Sequence, residues 1–215
     1  MKATSVAATG RPTGRVSAVL FDRDGTLIDD VPYNGDPGQV RLVPSARRAV
    51  ERLRARGVPV GVITNQSGIG RGLLVPEQVR AVNRAVEAQL GRLDVWEVCP
   101  HPPLHGGVGC ACRKPRPGMV LSAARRLGVP VAEVVLIGDT GSDVQAALAA
   151  GATPILVPSP ATLPAEIDAA ALIADDLDLA VDIALGLVLP GVIADGMLPD
   201  PRSPEPGRRP TGRLR

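Results

Sequence analysis

Asp22-Arg23-Asp24-Gly25-Thr26 follows directly on the apolar run Ala18-Val19-Leu20-Phe21. A run that is hydrophobic at every position reads as a parallel strand buried on both faces. Ligands of open α/β sheets collect beyond the carboxyl ends of such strands. Residues i and i+2 of an extended segment point the same way, so Asp22 and Asp24 can face one cavity, with Gly25 letting the chain turn away. Two carboxylates so close invite a divalent cation and suit phosphate chemistry. Taken alone, the dipeptide Asp24-Gly25 also reads as an ordinary turn.

Three further loops carry complementary chemistry. Thr64-Asn65-Gln66-Ser67-Gly68 follows a second apolar run and offers a hydroxyl and two amides to phosphate oxygens or a polyol. Arg113-Lys114-Pro115 places a guanidinium fork beside a point charge, a pair able to hold and neutralise a phosphoryl group. Ile137-Gly138-Asp139-Thr140-Gly141-Ser142-Asp143 ends a strand and opens a helix. That puts Asp139 at a strand end with backbone N–H groups nearby, although a helix N-cap explains it too. Asp143 fits the first helical turn, where its charge complements the dipole, and reads as supporting.

All three cysteines lie together, as Cys99-Pro100-His101 and Cys110-Ala111-Cys112. Three thiolates and one imidazole complete a tetrahedral zinc set with no open position, which makes the metal structural. His105 competes with His101; the Cys-x-His spacing, mirroring Cys-x-Cys, favours His101. The loop runs straight into Arg113 and Lys114, so zinc is expected to set their position.

These loops need a scaffold, and the pattern supplies one. Val/Ile/Leu-rich runs at 18–21, 60–64, 95–99, 134–137 and 155–157, with a weaker one near Leu172, alternate with amphipathic helical segments. That alternation reads as a Rossmann-like α/β fold, a parallel sheet flanked by helices. Helices are expected from Pro44 to before Gly57, from Pro76 through Leu90, from Pro117 to Gly128, over 142–150, and over 177–187. Residues 16–189 form the domain. The small, polar and basic residues 1–15 are expected to be flexible, and the Pro/Gly/Arg-rich stretch 190–215 disordered.

The chain has 215 residues, 45% hydrophobic, with a single Phe, Tyr and Trp and a net charge of +2. So few aromatics argue against a base-stacking nucleic-acid platform, and so small a charge implies neither a nucleic-acid nor a membrane partner. No apolar run reaches membrane-spanning length, and residues 1–15 resemble neither a secretory signal nor an anchor. A cytoplasmic monomer acting on a small molecule is the expectation.

The ordered set Asp-x-Asp-Gly-Thr, Thr-Asn, Lys-Pro and Gly-Asp-x-x-x-Asp resembles the four motifs of the haloacid dehalogenase (HAD) superfamily of phosphohydrolases, over residues 17–160. The resemblance implies that Asp22 is a nucleophile forming an aspartyl-phosphate. Asp24 would be the general acid that then activates water, and Thr64 and Lys114 would steady the phosphoryl group. It further implies magnesium on the Asp22 carboxylate, the Asp24 carbonyl and Asp139. The Asp-Arg-Asp-Gly-Thr, Thr-Asn-Gln-Ser-Gly and Cys-x-His…Cys-x-Cys-Arg-Lys-Pro segments are similar to those of the D-glycero-D-manno-heptose-1,7-bisphosphate 7-phosphatases, and histidinol-phosphate phosphatases share this plan. By this resemblance Asp30, Val31, Pro32 and Tyr33 line the substrate site and Arg113 grips the distal phosphate of a sugar bisphosphate. Asn65, Gln66, Ser67 and Thr140 complete the expected substrate contacts. Thr140 stands where some relatives carry a lysine, which removes one cation. The first two motifs are too close for a large cap domain. The reading of another class that stays open is an inactive phospho-ligand or zinc-binding protein; the presence of every acidic and cationic position the mechanism requires speaks against it.

Overall fold

A computed structural model describes residues 15–103 and 109–187. Five parallel strands make one sheet: β1 (Ala18–Phe21), β2 (Val60–Asn65), β3 (Val95–Cys99), β4 (Val134–Gly138) and β5 (Thr153–Leu156), in the order β3-β2-β1-β4-β5. The chain winds outward from β1 through β2 to β3, then returns to lay β4 on the other side of β1. The topological switch therefore falls between β1 and β4, where open α/β sheets bind their ligands.

The helices are α1 (Ala46–Arg54), α2 (Ser67–Gly70), α3 (Pro76–Leu90), α4 (Gly118–Leu127), α5 (Gly141–Ala150), α6 (Pro164–Ala169) and α7 (Leu177–Ala184). Side chains alternate across a strand, and the two sheet faces bury accordingly. Val19 and Phe21 of β1 pack with Val60, Val62 and Ile137 against α1, α3 and α7, while Ala18 and Leu20 pack with Leu136 against Met119, Val120 and Ala123 of α4 and Ala146 and Ala147 of α5. Leu, Val, Ile and Ala thus fill a core nearly free of aromatics.

The expected α/β architecture is the observed one. Differences are local. α1 begins at Ala46, two residues beyond Pro44, because Val43 is still bonded through its N–H to the Leu27 carbonyl. α7 ends at Ala184 rather than 187, just ahead of Gly186 at φ 68°. β5 lies two residues earlier in its start and one in its end than the apolar run 155–157, and Ile173 makes a single bridge to Leu156 in place of a strand. The short helices α2 and α6 carry too few residues for a helical period to show. Between β1 and β2 the chain forms only a short 3₁₀ turn (Pro37–Gln39) and α1, so no cap domain is inserted there. The expected tail 190–215, the segment 1–15 save Arg15, and His105 lie outside the described residues.

Candidate active site

At the carboxyl ends of β1, β2 and β4 an open cleft of about 440 Å³ is lined by Asp22, Asp24, Asp30, Val31, Pro32, Tyr33, Thr64, Asn65, Gln66, Ser67, Arg113, Lys114 and Thr140. Every cleft residue expected from the sequence is thus brought to one place. Arg23, Asn34, Gly68 and Ser142 join them.

Asp139 lies beneath the cleft rather than in its lining. It is buried, and its carboxylate and those of Asp22 and Asp143 each offer an oxygen within 4.8 Å of the others. Asp143 is therefore more than a helix-turn charge. Its Oδ2 accepts from the Thr140 N–H at 3.1 Å and hydroxyl at 2.7 Å, while its Oδ1 stands 2.5 Å from Lys114 Nζ. The sequence signal was present in the Asp139-to-Asp143 spacing: four residues around the first turn of a helix bring Asp143 back to the strand end that carries Asp139. Gly138 permits this approach, since a Cβ there would lie 2.4 Å from that of Asp143. Gly25 is fixed twice over, by φ 80° and because a Cβ would fall 2.3 Å from Asp139 Oδ2.

Lys114 is the buried cation of the cluster. Its ammonium lies 2.8 Å from Asp22 Oδ1 as well as beside Asp143, and donates to the Ile63 carbonyl at 3.2 Å. Burial works against its charge, but Asp143 and Asp22 outweigh that and hold its pKa above the ordinary lysine value. Burial pushes Asp22 up to about 8 despite the pull of Lys114. Asp139 rises to about 6, again through burial, opposed by the 2.7 Å hydrogen bond from Ser159. Buried anions crowded beyond what one ammonium neutralises, with hard oxygen donors, fit a divalent cation such as Mg²⁺.

Asp24 stands apart from that cluster, its carboxylate accepting from Arg23, Gln66 and, at 3.4 Å, Thr64. Asn65 spends its amide on the Lys114 backbone, accepting from its N–H at 3.1 Å and donating to its carbonyl at 3.2 Å. Asn65 thereby fixes the lysine from β2. Asp30 is exposed, and its pKa is raised by partial desolvation and then by the Asp24 charge. Arg71 donates to the Tyr33 hydroxyl at 3.1 Å, tying the 30–34 loop to the end of α2.

Next to the cleft, Cys99, His101, Cys110 and Cys112 place one ligand atom each within 4.8 Å of one another. Sulfur–sulfur separations of 3.2 and 3.6 Å and a His101 Nδ1 to Cys112 Sγ separation of 3.3 Å come close to the edges of a tetrahedron around zinc, about 3.8 Å for Zn–S of about 2.3 Å. Burial pushes the Cys99 thiol up to about 12. At Cys110 burial acts the same way, but donation from the Arg113 N–H and the neighbouring thiols brings it to about 7. Arg113 is tied to this loop by its N–H on Cys110 Sγ and its guanidinium on the His101 carbonyl at 3.1 Å.

An HAD-hydrolase-like family model matches residues 111–180. Over 146 residues the chain is 38% identical to the D-glycero-beta-D-manno-heptose-1,7-bisphosphate 7-phosphatase of Rhodopseudomonas palustris, covering 64% of this chain and 81% of that one. The chain belongs to the HAD-like heptose-bisphosphate phosphatase family. Its similarity extends to the D-glycero-alpha-D-manno-heptose-1,7-bisphosphate 7-phosphatase of Mycobacterium bovis, 37% identical over 142 residues, 62% of this chain and 73% of that one. Among solved structures, the D,D-heptose 1,7-bisphosphate phosphatase of B. bronchiseptica, complexed with magnesium and phosphate, superposes with a TM-score of 0.68 at 32% identity, over 80% of this chain and 99% of that one. This family member has no described helix long and apolar enough to cross a membrane.

Proposed function

We propose that this protein is a magnesium-dependent phosphatase that removes the 7-phosphate of D-glycero-D-manno-heptose 1,7-bisphosphate through an aspartyl-phosphate on Asp22. The observation that carries the reading is the Lys114 ammonium paired to Asp22 and Asp143 at the switch point of the sheet, open to a cleft with a second cation, Arg113, on its wall. Phosphoryl transfer asks mainly for charge neutralisation and in-line positioning, and the cations beside Asp22 and on the cleft wall support the first.

In the first step a carboxylate oxygen of Asp22 bonds to phosphorus. The bond from phosphorus to the sugar oxygen breaks, its electron pair goes to that oxygen, and a proton from Asp24 completes the alcohol. In the second, Asp24 takes a proton from a water molecule as its oxygen attacks phosphorus, and the bond to Asp22 breaks to give inorganic phosphate and the free carboxylate. Lys114 and Thr64 steady the phosphoryl oxygens. Asp22, Asp139 and the Asp24 carbonyl would hold Mg²⁺, with Asp143 beside them; when bound, the ion neutralises charge on the phosphoryl group. Cys99, His101, Cys110 and Cys112 would hold a structural zinc that fixes Arg113 for the distal phosphate. Free thiols in a zinc set suit a reducing compartment, which supports a cytoplasmic enzyme acting on a soluble sugar phosphate.

The test is Mg²⁺-dependent phosphate release from both anomers of the heptose bisphosphate and from histidinol phosphate. A strong preference for one bisphosphate is expected, together with no turnover by a folded Asp22→Asn protein. Preferred cleavage of histidinol phosphate would overturn the substrate, and full activity of Asp22→Asn would overturn the nucleophile.

A further inference from the structure

Arg23 lies between the two aspartates in sequence and is only 1% exposed. Neighbours in an extended segment point to opposite sides, so Arg23 and Asp24 do not meet by default. They meet because the chain turns here: the Arg23 carbonyl accepts the N–H groups of Leu27 and Ile28, both at 3.0 Å, and the Gly25 N–H returns to Ile28 at 2.8 Å. The guanidinium then grips both Asp24 oxygens, Nε to Oδ1 and Nη2 to Oδ2, each at 3.0 Å. Its remaining arm, Nη1, donates to Asn83 Oδ1 of α3 at 2.8 Å. A buried arginine is costly unless every arm finds a partner, and a bidentate fork fixes direction as well as charge.

The two Asp24 oxygens are left unequal. Oδ2 also accepts from Gln66 Nε2 at 2.8 Å and stands 3.4 Å from Thr64 Oγ1, whereas Oδ1 accepts, among the described residues, from Arg23 alone. A carboxylate offers about four lone-pair sites, so Oδ1 keeps a site for a proton and Oδ2 does not. The same clamp holds Asp24 out of the carboxylate cluster formed by Asp22, Asp139 and Asp143.

We propose that Arg23, anchored by Asn83, is a positioning residue that aims Asp24 and makes Oδ1 the atom passing the proton to the leaving oxygen and taking it back from water. The assignment rests on Asp24 being the acid of the reaction above. In the step concerned the phosphorus–oxygen bond breaks, the leaving oxygen keeps the electron pair, and the Oδ1 proton moves to it.

The test measures kcat/KM, which reports on phosphoenzyme formation, for the heptose bisphosphate and for 2,4-dinitrophenyl phosphate, whose leaving group departs without a proton. Arg23→Gln is expected to lose about 10- to 100-fold on the sugar phosphate, below the roughly 10²–10⁴ of a whole general acid, and little on the aryl ester. Asn83→Ala, which keeps the guanidinium, loses less in the same sense and carries the test should Arg23→Gln not fold. Arg23→Lys, which cannot form the fork, fails to restore the sugar-phosphate rate. Equal losses on both substrates in Arg23→Gln and Asn83→Ala would make the clamp merely structural and overturn the proposal. Asp24→Asn separates the two readings: if it too loses equally on both substrates, Asp24 is not the acid, and the prior assignment falls together with this one.

Discussion

Replacing Lys114 by Met leaves the shape of the site and takes away its charge. Lys114 is 3% exposed and is the cation paired with Asp22 and Asp143 among the described residues. Removing one partner of a buried ion pair costs about 3–5 kcal/mol because the remaining charge is left uncompensated. For a domain of this size that corresponds to a fall in Tm of roughly 6–20 °C. The loss must depend on pH. Asp22 and Asp139 titrate at about 8 and about 6 in the folded chain against 3.8 for an unburied Asp. The folded state therefore holds more protons than the unfolded one across that window, so stability from these groups is complete below about pH 4 and is lost as pH rises through 6 towards 8. Lys114 pulls Asp22 down, so without it the decline carries on above pH 8, where the parent's levels off, and Lys114→Met should differ from the parent more at pH 8 than at pH 5. Mg²⁺ offsets the same repulsion, so the gain in Tm on replacing EDTA with Mg²⁺ should widen with pH, and widen most in the variant. Thermal unfolding at both pH values, with each buffer, measures all of this. A cost below about 1 kcal/mol, or one that stays flat between pH 5 and 8, would refute the electrostatic account of the cluster.

Two other perturbations probe the scaffold. Gly25→Ala places a methyl group 2.3 Å from Asp139 Oδ2 on a backbone at φ 80°; strain of about 1–3 kcal/mol and displacement of Asp139 should weaken Mg²⁺ binding in a calorimetric titration, and parental affinity would contradict the placement. On the proposed zinc site, Cys110→Ser should abolish metal binding and loosen Arg113, which its backbone N–H ties to Cys110 Sγ. Metal analysis should find no zinc, and KM should rise more for the bisphosphate than for a sugar monophosphate; unchanged zinc content would refute the four-ligand set.

Much of the fold and cleft was legible in the sequence because the information is local and periodic. Uniformly apolar runs mark strands buried on both faces, Gly128 and Gly151 close helices in the left-handed conformation, and a strand end necessarily presents the loop that follows it. Asp22, Thr64 and Lys114 could be assigned to one cleft on that basis, Asp139 to the carboxylate cluster with Asp22, and the clustered cysteines to one another by proximity in the chain. Partner choice inside the cleft could not be read in the same way, since it depends on distances between elements remote in sequence. Asn65 lines the cleft and also braces Lys114, forty-nine residues away, which its place after a strand does not reveal. Asp143 looked like a helix-turn charge and is the second carboxylate on the buried ammonium. Arg23 carried no signal beyond its place in the motif, because its role is set by a turn that folds it onto Asp24 and by Asn83, sixty residues on, arriving from α3. Residue types and their order fixed which groups gather at the switch point of the sheet; only the packing of helices and loops around it decided which charge each group faces, because burial makes those pairings strong and the sequence does not encode their geometry locally.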